Sequence, residues 1–228
     1  MARKKITRKQ LLKEPDEFLT LSTRLFRFVM ENRVRVGVVM GGLLALAVAI
    51  AGFQYYQYRM GNRAFQELAE VRDRYAAAVA DRNEADAYEA VKGDLETLIN
   101  RHGGREAGRL ARVTLANYAY DAGAPETAIS LYEAALPEFS SRPGLRNLVL
   151  GGLAYAHEAL GNLSKAVDYF ERITSDDNPV LRGDAYYHLG RLYEQLGDAD
   201  KSRTAYQTVV DDYGDSVYAD LARDKTAG

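Results

Sequence analysis

Ala185–Tyr206 reads AYYHLGRLYEQLGDADKSRTAY, and Gly197 divides it into two segments of helical pattern. Eight residues before that glycine stands the pair Leu189-Gly190, five after it stands Ser202, and four further on stands Tyr206. The same arrangement occurs twice upstream. Gly161 is preceded by Leu153-Ala154 and followed by Ala166 and Phe170, and Gly123 is preceded by Leu115-Ala116 and followed by Ala128 and Tyr132. The three turn glycines stand 38 and 36 residues apart, a period found in helical solenoids. Each unit predicts a pair of antiparallel helices. The small residues let the two approach, and the aromatic wedges into the gap between neighbouring pairs.

These residues resemble the tetratricopeptide repeat. The third unit, Tyr186-Tyr187-His188-Leu189-Gly190 through Tyr193, Gly197-Asp198 and Tyr206, carries most of the likeness. The second keeps Leu153, Ala154, Gly161-Asn162, Ala166 and Phe170; the first keeps Leu115, Ala116, Tyr120, Gly123, Ala128, Tyr132 and Ala135. The family's first-helix tryptophan is absent, its closing proline is shifted or lost, and Pro137–Pro143 and Ser175–Pro179 make longer loops. Residues 65–102 look like a degenerate extra unit without its turn glycine. The fold expected is all-α. An α-solenoid of helical hairpins occupies 105–216, a helical neck and degenerate repeat precede it at 59–104, and a C-terminal cap follows at 217–228.

Such an array has a concave surface lined by the first helix of each unit. The resemblance implies a lining of Val113, Asn117 and Tyr120, then Gly151, Tyr155 and Glu158, then Tyr187, Arg191 and Glu194. Tyr120, Tyr155 and Tyr187 would put one tyrosine per unit on that face. Tyrosine gives a large contact area with a polar tip, which suits an extended or helical protein segment. The alternative is that these rings pack between helices, and spacing leaves both readings open. The basic-and-asparagine set with which chaperone-binding members hold a carboxylate is missing apart from Asn117.

Upstream of the repeats, Val36–Phe53 reads VGVVMGGLLALAVAIAGF, without a charge or a strong hydrogen-bonding side chain. As a helix it covers roughly 27 Å, against a hydrocarbon core of about 30 Å. A single transmembrane helix is expected over 34–58. Gly37, Gly41, Ala45 and Ala49 recur every four residues on one side of it, and the first two form a GxxxG. Such a face allows close packing against a second span, of a partner or of the same chain. Tyr55, Tyr56 and Tyr58 stand where an aromatic belt meets the headgroups. Phe65, Leu68, Val71, Tyr75 and Val79 then continue the helical spacing, so the helix is expected to leave the bilayer with little interruption. Ala47, Ala49 and Ala51 offer an A-x-A cleavage pattern, yet the 35 residues before the stretch exceed a signal peptide's basic region. An uncleaved anchor is the expectation.

The net charge of −2 hides an asymmetry. Residues 1–35 hold ten Lys/Arg against four Asp/Glu, and the remainder holds 20 against 28. By the positive-inside rule the basic tail, 1–33, stays in the cytoplasm and the acidic bulk crosses. The segment 2–13 is expected on the anionic leaflet, and Pro15-Asp16-Glu17 marks a helix start. Phe18, Leu21, Leu25 and Phe28 make an amphipathic stripe from there, read as an interfacial helix or as a face for a cytosolic partner. The acidic bulk offers no basic face for nucleic acid.

The residues of enzyme chemistry are thinly spread. His157-Glu158 begins like a zinc-protease motif, but Gly161 stands where the second histidine belongs. His102 and His188 lie at a helix end and beside the Leu-Gly pair, where structural roles are expected. Asp176-Asp177 and Asp211-Asp212 with Asp215 lack the ligand spacing of a calcium loop. There are no cysteines, no nucleophile elbow and no phosphate loop. No enzyme, metal or cofactor is expected.

A single span near the N-terminus, a basic cytoplasmic side and an acidic repeat domain resemble the membrane-anchored periplasmic repeat proteins of Gram-negative bacteria. In layout the chain resembles the YfgM family, ancillary subunits of the SecYEG translocon, although its cytoplasmic tail is longer. The resemblance implies an inner-membrane scaffold whose periplasmic repeats bind translocon or envelope proteins in secretion, folding or envelope assembly. The alternative is a structural homo-oligomer joined through its span and neck.

Overall fold

The computed structural model describes residues 17–227, so the 2–13 segment and the helix start at Pro15 lie outside the described residues. The described chain is helical, with no strand. Its helices are α1 (Glu17–Glu31), α2 (Arg33–Asp81), α3 (Glu84–His102), α4 (Glu106–Asp121), α5 (Pro125–Ala135), α6 (Pro143–Ala159), α7 (Leu163–Thr174), α8 (Arg182–Leu196), α9 (Ala199–Asp212) and α10 (Ala219–Thr226). A short 3₁₀ turn at Leu136–Phe139 follows α5. The chain forms two compact units that divide between Arg59 and Met60.

The first unit holds α1 and the apolar part of α2. Within α2 an 18-residue window has a mean hydropathy of 2.4, and none of it is buried within the protein. The helix is long and apolar enough to cross a bilayer. Leu43, Leu44, Val48 and Phe53 are all exposed, as are Leu25, Phe26 and Phe28 on α1. As the spacing of its apolar residues predicts, α2 runs on without a break to Asp81.

The second unit begins with a hairpin. Leu68, Val71 and Tyr75 of α2 are buried in a core shared with Tyr88, Val91, Leu95 and Leu98 of α3. The missing turn glycine is replaced by an N-cap: the Asn83 side chain accepts from the Asp86 N–H at 2.9 Å, satisfying one of the donors that a helix start leaves open. Arg74 and Asp94 pair across the hairpin at 2.7 Å.

Each of the three repeat turns closes in the same way. Gly123, Gly161 and Gly197 have φ of +76°, +73° and +81°, a region that a β-carbon penalises. The N–H after each glycine bonds back to the carbonyl five residues earlier: Ala124 to Ala119, Asn162 to His157 and Asp198 to Tyr193. This is the Schellman closure, which satisfies carbonyls at the helix end while the chain reverses.

The predicted small residues and wedges lie in the core. Ala116, Ala154, Ala128 and Ala166 are fully buried, and Tyr132, Phe170 and Tyr206 are 3%, 1% and 2% exposed. Burying an aromatic side chain of this kind stabilises by about 1.5–3 kcal/mol. Ser202 stands in the third unit where the other two have alanine, and it donates to the Gly190 carbonyl at 2.8 Å across the helix pair. The approach is closest at two glycines. A β-carbon on Gly152 would stand 2.4 Å from the Tyr132 ring, and one on Gly190 would stand 2.7 Å from the Tyr206 ring. The longer loops are packed as well: the 3₁₀ turn tucks Phe139 into the core, and Arg146 of α6 pairs with Asp176 in the other loop. At the C-terminus, α10 places Ala222 against Tyr206 and Val209.

Gly190→Ala tests the wedge. Helix propensity alone favours alanine by about 1 kcal/mol, whereas overpacking against Tyr206 costs about 1–3 kcal/mol. A lowered melting temperature is the expected result; a rise would show that the Tyr206 ring moves aside freely.

Candidate functional site

Successive first helices are joined by side chains about one repeat apart. Arg142, at the start of α6, pairs with Glu106 at the start of α4. Tyr155 Oη of α6 lies 3.0 Å from His188 Nε2 of α8, and Arg191 donates to Glu158 at 2.6 Å. Lys225 of α10 donates to both oxygens of Glu194 at 3.0 Å, and Tyr206 donates to the same carboxylate at 3.2 Å. Of the lining predicted from sequence, Glu158, Arg191 and Glu194 are therefore rungs of an inter-unit ladder. The spacing of 33 residues between Glu158 and Arg191, opposite charges one repeat apart, was the available signal for it.

The three predicted tyrosines have different surroundings. Tyr155 is half-buried, edge-on to Phe170 and His188 with ring centroids 5.4 and 4.9 Å away. Tyr187 stacks on Tyr218 at 4.4 Å, so the chain's own C-terminal segment occupies that part of the face. Asn117, further toward the N-terminus, accepts from the Tyr132 hydroxyl at 2.6 Å. Tyr120 is half-buried and lines an open cleft of about 660 Å³ with Tyr75, Val79, Glu84, Asp121 and Ala159. Sequence reading did not associate Tyr75, Glu84 and Asp121, because α2, α3 and α4 bring them together. On α2, a β-carbon on Gly37 or Gly41 would meet nothing, and Ala45 and Ala49 are exposed. Among the described residues, these four positions are open.

Burial sets the protonation of the groups on this face. His188 is 8% exposed; burial first, and then the Arg191 charge, pushes its pKa from 6.5 down to about 4. It is neutral at pH 7. Burial likewise pushes the Tyr155 phenol up, and a hydrogen bond from Lys225 holds Glu194 below the usual carboxylate range. In the cleft, burial followed by the Asp121 charge pushes Tyr75 up to about 12. Burial and then the Glu84 charge raise Asp121 itself. No group of three or more metal-ligating side chains occurs among the described residues.

Residues 33–225 match the tetratricopeptide repeat-like domain, and the chain belongs to that family. It is similar in structure to a tetratricopeptide repeat protein from Parabacteroides merdae, with a TM-score of 0.54 and 19% identity over 71% of this chain and 59% of that one. The chain thus spans about three fifths of that protein's length. It is also similar to a putative kinesin light chain with nearly identical TPR-like repeats from Podosopora anserina, with a TM-score of 0.56 and 17% identity over 73% of this chain and 85% of that one. At these identities the likeness is one of fold. No curated protein matches significantly. A tetratricopeptide repeat domain is typically a non-catalytic scaffold for protein–protein interaction.

The depressed pKa of His188 makes stability depend on pH. The unfolded chain takes up this proton near 6.5 and the folded chain only near 4. Its contribution is therefore complete above about pH 6.5 and declines as pH falls toward 4, by roughly 3 kcal/mol in all. His188→Gln should flatten this part of the melting-temperature profile relative to the parent chain. Coincident profiles would contradict the assignment.

Proposed function

We propose that this chain is a non-enzymatic, membrane-anchored scaffold whose repeats bind protein partners across the inner membrane, in secretion, folding or envelope assembly. The observation that carries the reading is the apolar part of α2, with a mean hydropathy of 2.4 and none of the window buried by the protein. Water penalises so long an unburied apolar surface, and a bilayer removes the penalty. The family match begins at residue 33 and so includes this helix with the repeats. The surplus of Lys/Arg over Asp/Glu before residue 36, with the reverse after it, favours a cytoplasmic N-terminus and a periplasmic repeat domain. The layout resembles the YfgM family, which makes translocon and envelope proteins the first partners to seek.

Within the repeats, the first helices are the proposed binding face. Its most open part lies around Asn117 and Tyr120, because toward the C-terminus Glu158–Arg191, Tyr187–Tyr218 and Glu194–Lys225 engage one another. A partner segment would add contacts at the open end and compete for the ladder at the other.

Protease added to spheroplasts tests the topology. The repeat domain should be digested while an N-terminal fragment ending near the span stays protected. Loss of the N-terminal tail with the repeats intact would reverse the orientation, and release of the whole chain without detergent would remove the anchor.

A further inference from the structure

We propose that the cleft formed by α2, α3, α4 and the end of α6 takes the guanidinium group of an arginine from a protein partner. Glu84 and Asp121 both line it, and neither belongs to any of the ion pairs found among the described residues. Glu84 has a structural explanation: it opens α3, where the helix dipole favours an acid. Asp121 has none. It is the last residue of α4, at the dipole's negative end, where a carboxylate is disfavoured and a cation is welcome.

A second, independent observation points into the same cleft. Tyr75 lines it and is only 8% exposed, yet its hydroxyl has no hydrogen-bond partner. Its ring stacks on Tyr118 with centroids 3.4 Å apart, so packing alone would be served by phenylalanine. A buried hydroxyl without a partner is costly, and it is retained here beside two carboxylates. Arg72 lies near Tyr118, where its charge opposes the burial that raises that phenol.

The chemistry of the walls selects the occupant. Tyr75 and Tyr120 supply aromatic surface, Val79 and Ala159 supply apolar contact, and the acids supply charge. A guanidinium stacks on aromatic rings and offers five donors in a planar fork, enough for two carboxylates and a phenol oxygen. An ammonium offers three donors around a point and matches this set less well. Burial, and then the Glu84 charge, raise the pKa of Asp121, and a bound cation would lower it. Tyr120 also belongs to the proposed binding face, so a segment lying along the first helices would reach the cleft with one side chain. Assigning the arginine to a partner protein rests on the scaffold reading.

The test uses the full-length chain in lipid nanodiscs with ¹³C-labelled tyrosine rings, the Tyr75 resonance being assigned from Tyr75→Phe. The probes are acetyl-Gly-Arg-Gly-amide, the same peptide with uncharged citrulline in place of arginine, and spermidine. The arginine peptide should shift the Tyr75 and Tyr120 resonances saturably, and the citrulline peptide should not. Asp121→Asn, a change at an exposed position that leaves the core intact, should weaken binding at least tenfold, and Glu84→Gln should weaken it several-fold. Equal shifts with both peptides, no shift with either, or unchanged affinity in Asp121→Asn would overturn the proposal. Tighter binding of spermidine than of the peptide would overturn the assignment to a protein side chain. Because the probes bind directly, a failure here leaves the topology result standing, and a failure of the topology leaves this titration unaffected.

Discussion

The close approach of two helices around an aromatic wedge is the contact on which the repeat domain depends. Tyr132, Phe170 and Tyr206 fill space that exists only because small residues face them, Gly152 and Gly190 most tightly. Dispersion falls off steeply with separation, so a helix pair pushed apart by one methyl group forfeits many contacts at once. The left-handed glycine turns serve the same end, reversing the chain within two residues so that the second helix returns against the first. A single pair cannot bury its own outer faces. Neighbouring units therefore share cores, and Glu106–Arg142, Glu158–Arg191 and Glu194–Lys225 tie one first helix to the next.

That contact also explains what could be read from the sequence. A wedge, its small partner and the turn glycine keep fixed local spacings, so three copies in register are visible in the amino-acid string. The unbroken course of α2 to Asp81 was legible too, because Leu68, Val71 and Tyr75 keep helical steps. The surroundings of the first-helix side chains were not. Whether Tyr187 faces a groove depends on Tyr218, which arrives from beyond the last repeat. What Tyr155 touches depends on His188, one repeat away. The cleft is less legible still, since Tyr75, Glu84 and Asp121 lie on three helices and only Tyr120 and Gly123 among its residues belong to the repeat pattern.

Satisfied and unsatisfied chemistry are unevenly distributed along the first-helix face. From α6 to α10 its charges and rings engage one another, and the buried, neutral His188 is enclosed among aromatic neighbours. Around α4 the balance differs. Among the described residues, two acids without an ion pair and the buried, unpartnered Tyr75 hydroxyl gather there, with Tyr120 on the same cleft. An interaction module needs some polar groups left for its partner to complete, because a face already satisfied offers little beyond contact area. In this chain the open groups gather at the end of the array that is joined through α2 to the apolar stretch.

The central claim is that the first-helix face, rather than the second-helix face, meets a partner protein. Photo-crosslinking in living cells with p-benzoylphenylalanine in place of Tyr120 on α4 or Glu133 on α5 compares the two faces directly. Both positions belong to the first repeat, and Glu133 is exposed, so neither replacement disturbs a wedge. The account predicts discrete crosslinks to another protein from position 120 and none above background from position 133. Equal crosslinking from both positions, or crosslinking from 133 alone, would contradict it.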